Sequence, residues 1–154
     1  MRNVASLDPG LHRRLVDGLY LEAMMMADEA RAYFDGDPLG RGETVDPLRR
    51  VSFACESLKV TTRLMHVIAW LLTQRAVIAG ELTPAQAQDS ARRLGTAPVS
   101  EEAIVATLPE QARAMVAGSI DLHRRVERLD AAQVADEPME SPARSMLDRL
   151  ATSF

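Results

Sequence analysis

The run DPLRRVSFACESLKVTTRLMHVIAWLLTQRAVIAG, residues 46–80, carries most of the architecture. It opens on Asp46-Pro47, a side-chain acceptor followed by the residue best suited to a first helical position, and closes on Gly80. No proline or glycine interrupts it, so it reads as one helix from about Pro47 to Ala79, roughly 50 Å long at ~1.5 Å per residue. Leu48, Val51, Cys55, Leu58, Thr62, Met65, Ala69, Leu72, Ala76 and Ala79 recur every three or four residues, a heptad seam of the kind that aligns neighbouring helices. A second apolar set, Phe53, Val60, Leu64, Val67, Leu71 and Ile78, centres roughly 150° away. Arg49, Ser52, Glu56, Lys59, Arg63, His66 and Thr73 form a polar stripe between the two. A helix with two apolar stripes is covered on two sides. The expectation is a central helix whose heptad seam, Cys55 included, faces inside the protomer. Leu64, Val67, Leu71 and Ile78 would then meet a second copy in a homodimer.

Outward from this run the same punctuation recurs. Asp8-Pro9, Thr83-Pro84 and Ser141-Pro142 again pair a cap with a proline, and Thr83 with Gln86 makes a capping box. A first helix is expected from about Pro9 to Phe34, with Leu11, Leu15, Leu19, Met26 and Ala30 inward. Met24-Met25-Met26 reads as gap-filling core rather than a promiscuous binding surface. A short third helix is expected over about Pro84–Leu94, closed by Gly95. A fourth run, about Pro109–Leu129, steps through Ala112, Met115, Ser119, Leu122 and Val126. No stretch alternates with period two. The fold class is therefore all-α: an up-down-up three-helix bundle with a long central helix and short extra helices.

After Asp130 the composition changes. Asp136-Glu137-Pro138-Met139-Glu140-Ser141-Pro142 is acidic and proline-broken, and reads as a linker. Met146, Leu147, Leu150 and Phe154 then share one side of a short amphipathic helix, expected to dock reversibly on its own bundle or in a partner's groove, the alternative being a permanent last helix of the core. The expected organisation is a bundle over residues 1–130 and a linker with tail helix over 131–154.

The chemistry is sparse. The chain has 154 residues, 47% hydrophobic and 26% charged, which is enough for a packed core. A net charge of -4 and 4% aromatics disfavour a generic nucleic-acid surface. The single cysteine fits a reducing compartment, the amino terminus lacks a signal-peptide pattern, and the longest apolar run is too short to span a membrane, so a soluble cytoplasmic protein is expected. His12, His66 and His123 lie on three different helices without metal-ligand spacing, and Cys55 is eleven residues from His66, too far for a nucleophile and its base. No enzyme, cofactor or metal is expected. The pairs Arg49-Arg50, Arg92-Arg93 and Arg124-Arg125 read as solvated faces balanced by neighbouring acids. The residues leave two functional classes: an adaptor or scaffold, and a helical ligand-binding or DNA-associated regulator.

The segment from Glu56 through Lys59, Thr61-Thr62-Arg63-Leu64-Met65 and Trp70 to Gln74-Arg75-Ala76-Val77 and Gly80-Glu81 resembles the signature of the RcdA family. That resemblance implies a dimeric three-helix bundle with a flexible carboxy-terminal extension. It also implies an adaptor that delivers regulators such as CtrA to the ClpXP protease during the cell cycle, primed by the response regulator CpdR. It implies no catalytic residues.

Overall fold

The computed structural model describes residues 8–40, 45–135 and 142–153. They form helices α1 (Pro9–Asp35), α2 (Pro47–Ile78), α3 (Pro84–Ala87), α4 (Glu102–Val105), α5 (Glu110–Ala135) and α6 (Pro142–Thr152), with a 3-10 turn at Ser90–Arg92. No strand occurs among the described residues. The caps act as their chemistry requires. The Asp8 carboxylate accepts from Gly10, that of Asp46 accepts from Leu48, and Thr83 and Gln86 satisfy each other's main-chain N–H groups. Gly80 closes α2 in the left-handed region at φ 77°, where a side chain is strained, and the Glu81 N–H then returns to the Ala76 carbonyl. Ser141 and Phe154 lie outside the described residues.

The core is one cluster. Val16, Leu19, Ala23 and Ala30 of α1 and Phe53, Val60, Leu64, Val67, Trp70 and Leu71 of α2 meet Ala112, Met115, Val116, Leu122 and Val126 of α5. α2 is central, as expected, and Tyr33, Phe34 and Phe53 close one end through edge-on and tilted ring contacts.

Four expectations are corrected. The helix directions are up-down-down. α1 runs antiparallel to α2, as the Arg75–Asp17 pair and the Phe34–Phe53 contact show. α5 runs parallel to α2, because Arg63 meets Ser119, Trp70 meets Asp130 and Gln74 meets Gln133. A parallel neighbour needs a crossover, and residues 93–107 supply it by retracing α2 from its carboxyl end to its amino end. The stretch of α2 from Trp70 back to Arg49 spans about 32 Å at ~1.5 Å per residue. Extended chain covers that in about ten residues at ~3.3 Å each.

Second, the two faces of α2 are exchanged. Leu64, Val67 and Leu71 are buried in the protomer, with Leu71 at 0% exposure, and Ile78 packs at the core's edge, so they do not form an outer interface. The heptad seam is outside instead. It contains Cys55, Thr62, Ala69 and Ala76, too small to fill a bundle core, whereas the opposite face supplies Phe53, Trp70 and Leu71. Third, the third helix ends early, because the Asp89 carboxylate captures the Ala91 N–H and starts a separate 3-10 turn. Gly95 is not its cap; it lies in the crossover. Fourth, α5 continues past Asp130 to Ala135, with Asp130 and Gln133 tied into the bundle. Of the methionine run, only Met26 packs against the core, and Met25 is exposed.

Candidate functional site

The crossover creates a problem that the polar stripe of α2 solves. Residues 94–100 are in neither helix nor strand, so their carbonyls have no regular partners. Side chains of α2 and α5 supply them. Arg63 donates through Nε and one terminal nitrogen to the Pro98 carbonyl, at 3.3 and 3.0 Å. A ring nitrogen of His66 lies 3.1 Å from the Thr96 carbonyl and one of His123 lies 2.8 Å from that of Gly95. Arg49 donates to the Thr107 carbonyl at 3.2 Å.

Arg63 is the hub. Its exposure is 0%, and besides Pro98 it donates to the hydroxyls of Ser100 at 2.6 Å and Ser119 at 3.2 Å. Ser100 donates its own hydroxyl proton to Glu56, 2.5 Å away and 2% exposed, and Lys59 donates to the other Glu56 oxygen at 2.9 Å. Burial pushes the Arg63 guanidinium below its ordinary range, with Glu56 opposing. The next anchor up the helix is Asp130. Trp70 donates to it at 3.0 Å and Arg93 holds both its oxygens at 2.9 and 2.7 Å. Desolvation by itself raises the Asp130 pKa, but the bonds from Arg93 and Trp70 outweigh it and hold the carboxyl below its ordinary value. Gly95 lets the chain pass close to α2, since a Cβ there would sit 2.6 Å from the His66 ring.

Arg63 and Glu56 are joined through Ser100, and Arg63 also holds the crossover carbonyl of Pro98. Cys55, expected inside, is exposed on α2. Burial lowers the His12 pKa, and His12, His66 and His123 remain on separate elements. No group of three or more His, Cys, Asp or Glu side chains that could hold a metal ion occurs among the described residues. No described helix is long and apolar enough to cross a membrane. The arginine pairs are less solvated than expected. Arg49 and Arg50 hold carbonyls, Arg93 holds Asp130, and Arg125 pairs with Glu22 and Asp121. Arg124 and Arg128 are exposed.

The outward face of α2 has a different character. Its exposed positions from Val51 to Leu72 are Val51, Ala54, Cys55, Leu58, Thr61, Met65, Ala69 and Leu72, and none carries a charge. Leu58 is 68% exposed and Met65 63%. A solvent-facing helix surface ordinarily carries Lys, Arg, Glu or Asp. The strip shares its helix with the crossover's anchors. Glu56, Lys59, Arg63, His66, Trp70 and Gln74 point inward or toward the crossover, while Leu58, Thr61, Met65, Ala69 and Leu72 point out. In the tail, Met146, Leu147 and Leu150 are exposed.

The strip was legible as a seam but assigned to the wrong side. The crossover anchors were missed as a set. The available signal was that every charged residue between Val51 and Leu72, namely Glu56, Lys59 and Arg63, falls on one face.

Comparison with known proteins agrees with this picture. Residues 7–154 match the family described as protein of unknown function (DUF1465). The fold is similar to the crystal structure of RcdA from Caulobacter crescentus CB15, with a TM-score of 0.61 and 33% sequence identity over 77% of this chain and 90% of that chain. No curated protein sequence matches the chain at a significant level.

Proposed function

The chain belongs to the RcdA (DUF1465) family, and on that premise we propose that it is a non-enzymatic regulatory adaptor working through protein–protein contacts in the cytoplasm. The observation that carries the reading is the uncharged exposed strip of α2, from Val51 to Leu72. Eight solvent-facing positions without a charge on the longest helix suit a surface that meets another protein. The interior supports the same reading, since its buried polar groups are consumed in holding the crossover.

In this reading two copies pair through their α2 strips, antiparallel about Thr62, where small residues allow close approach. This replaces the expected interface at Leu64, Val67, Leu71 and Ile78. The dimer delivers regulatory proteins to the ClpXP protease during the cell cycle, with a response regulator priming the encounter. The tail residues Met146, Leu147, Leu150 and Phe154 are the proposed contacts for a protein partner. Nothing among the described residues favours a ligand-binding or DNA-associated role. Arg124 and Arg128 alternate with Asp121 and Glu127 on α5 and make no basic face.

The test is recovery of partners from the protein's own cells, with the tagged chain, a Leu58→Arg/Met65→Arg variant and a chain ending at Ala135. Adaptor function predicts protease subunits and regulators with the intact chain, and reduced recovery with at least one variant. Recovery of no protease component would overturn the delivery role.

A further inference from the structure

A second apolar surface lies on α1, away from the α2 strip. Gly18, Leu21, Glu22, Met25, Met26 and Glu29 line a depression of about 360 Å³. Leu21 and Met25 are 61% and 57% exposed, and Gly18 leaves a gap beside them where a Cβ would meet nothing within 4 Å. The rim is acidic. Glu29 is exposed, and Glu22 sits on the α5 side, paired with Arg125. On the tail, Met146, Leu147 and Leu150 share one side of α6, and Arg149 lies on its flank. Both surfaces expose apolar groups, and their flanking charges are opposite.

Chain geometry connects them. α1 and α5 are antiparallel neighbours, with Glu22 at the level of Arg125 and Met26 at the level of Gly118. α5 ends at Ala135, and α6 begins at Pro142, so six residues join them. Connections of about two to eight residues are those that fold one helix back beside another. From Arg125 to Ala135 is about 15 Å of helix, and α6 is about 16 Å long, both at ~1.5 Å per residue. An α6 that turns back after the linker therefore brings Leu147 near the level of Gly18 and Leu150 near that of Leu21. The sideways step is about the 8–10 Å between packed helices, within the reach of six residues.

We propose that α6 docks in cis on the outer face of α1, parallel to α1, with Leu147 beside Gly18, Leu150 over Leu21, and Arg149 on the Glu22 side. The structure, in which Met146, Leu147 and Leu150 are exposed, is the undocked form, and the docked form exchanges with it. The α2 strip is the poorer seat, because it offers Arg149 no acid. Docking covers the tail's apolar side chains, so a partner that takes the tail must displace it from α1. The proposal stands apart from the adaptor reading.

The experiment uses the full chain with Cys55→Ser as background. Leu21→Cys with Leu150→Cys reports docking on α1, and Leu58→Cys with Leu150→Cys reports docking on the α2 strip. Mild oxidation at low micromolar concentration is followed by non-reducing electrophoresis and peptide mass spectrometry. The expected result is an intrachain disulfide in the α1 pair at several times the yield of the α2 pair, reduced several-fold by adding Glu22→Lys. In the intact chain, hydrogen exchange over Leu21–Glu29 should also be slower than in a chain ending at Ala135. A higher or equal yield in the α2 pair, cross-links only between chains, or no cross-link together with unchanged exchange would each overturn the proposal.

Discussion

Replacing Arg63 with methionine should destabilise the protomer more than any change of similar size at its surface. The methionine side chain would keep much of the stem volume while removing every donor. The guanidinium makes four hydrogen bonds, two to the Pro98 carbonyl and one each to Ser100 and Ser119, from a position of zero exposure. A net bond to a charged group contributes about 1.5–3 kcal/mol, but the four share one donor and do not add. Glu56 keeps its bonds from Lys59 and Ser100 but loses the nearby guanidinium charge. With the Pro98 carbonyl and the Ser100 and Ser119 hydroxyls also losing their buried donor, the total comes to about 3–5 kcal/mol. At roughly 2–4 °C per kcal/mol for a chain of this size, the melting temperature should fall by about 6–20 °C. Urea unfolding gives the free energy directly. The double variant Glu56→Gln/Arg63→Met should recover part of the loss, because the buried carboxylate that the guanidinium charge favours is gone. A loss under about 1 kcal/mol for the single variant, or no recovery in the double, would refute the view that this network fastens the crossover.

Leu58→Arg and Met65→Arg should leave the melting temperature of the protomer nearly unchanged, within the roughly ±0.5 kcal/mol usual for surface sites, yet halve the mass seen by light scattering at micromolar concentration. Gly95→Ala drives a methyl into the His66 ring, and should cost about 1–3 kcal/mol and speed amide exchange across residues 95–101. Asp130 has a folded pKa below its unfolded value, so the stability it contributes is present above the unfolded pKa and is lost as pH falls through the folded one. The stability gap between the wild type and Asp130→Asn should therefore hold steady from about pH 5 to pH 7 and narrow below about pH 4, as read from urea midpoints.

The helices were legible because their signals are local. Asp8-Pro9, Asp46-Pro47 and the Thr83–Gln86 box name their own starts, and the absence of Gly and Pro from 48 to 79 fixes the length of α2. What was not legible is what distant chain decides. Periodicity finds the stripes of α2 but does not say which one the bundle takes. That choice rests on Ser100 and Pro98, more than thirty residues beyond Arg63, and on Ser119, 56 residues beyond it. The direction of α5 was hidden for the same reason. Residues 84–108 read as a short helix and a connector between antiparallel helices, because an extended crossover has no period of its own. Cys55 was placed inside by its seam position, although residues that small cannot fill a bundle core by themselves.

The parallel setting of α2 and α5 has a kinetic consequence. An antiparallel pair joined by a tight turn can zip from its loop outward. Here α5 cannot find its register until the crossover has been laid along the whole of α2, so contacts far apart in sequence must form together. Arg63 loses its water only when α2, the crossover and α5 have all arrived, so its desolvation is expected after the main barrier. Its substitutions should accelerate unfolding while leaving the refolding limb of a chevron almost unmoved, whereas shortening Leu19 or Val60, where α1 and α2 form a hairpin, should slow refolding.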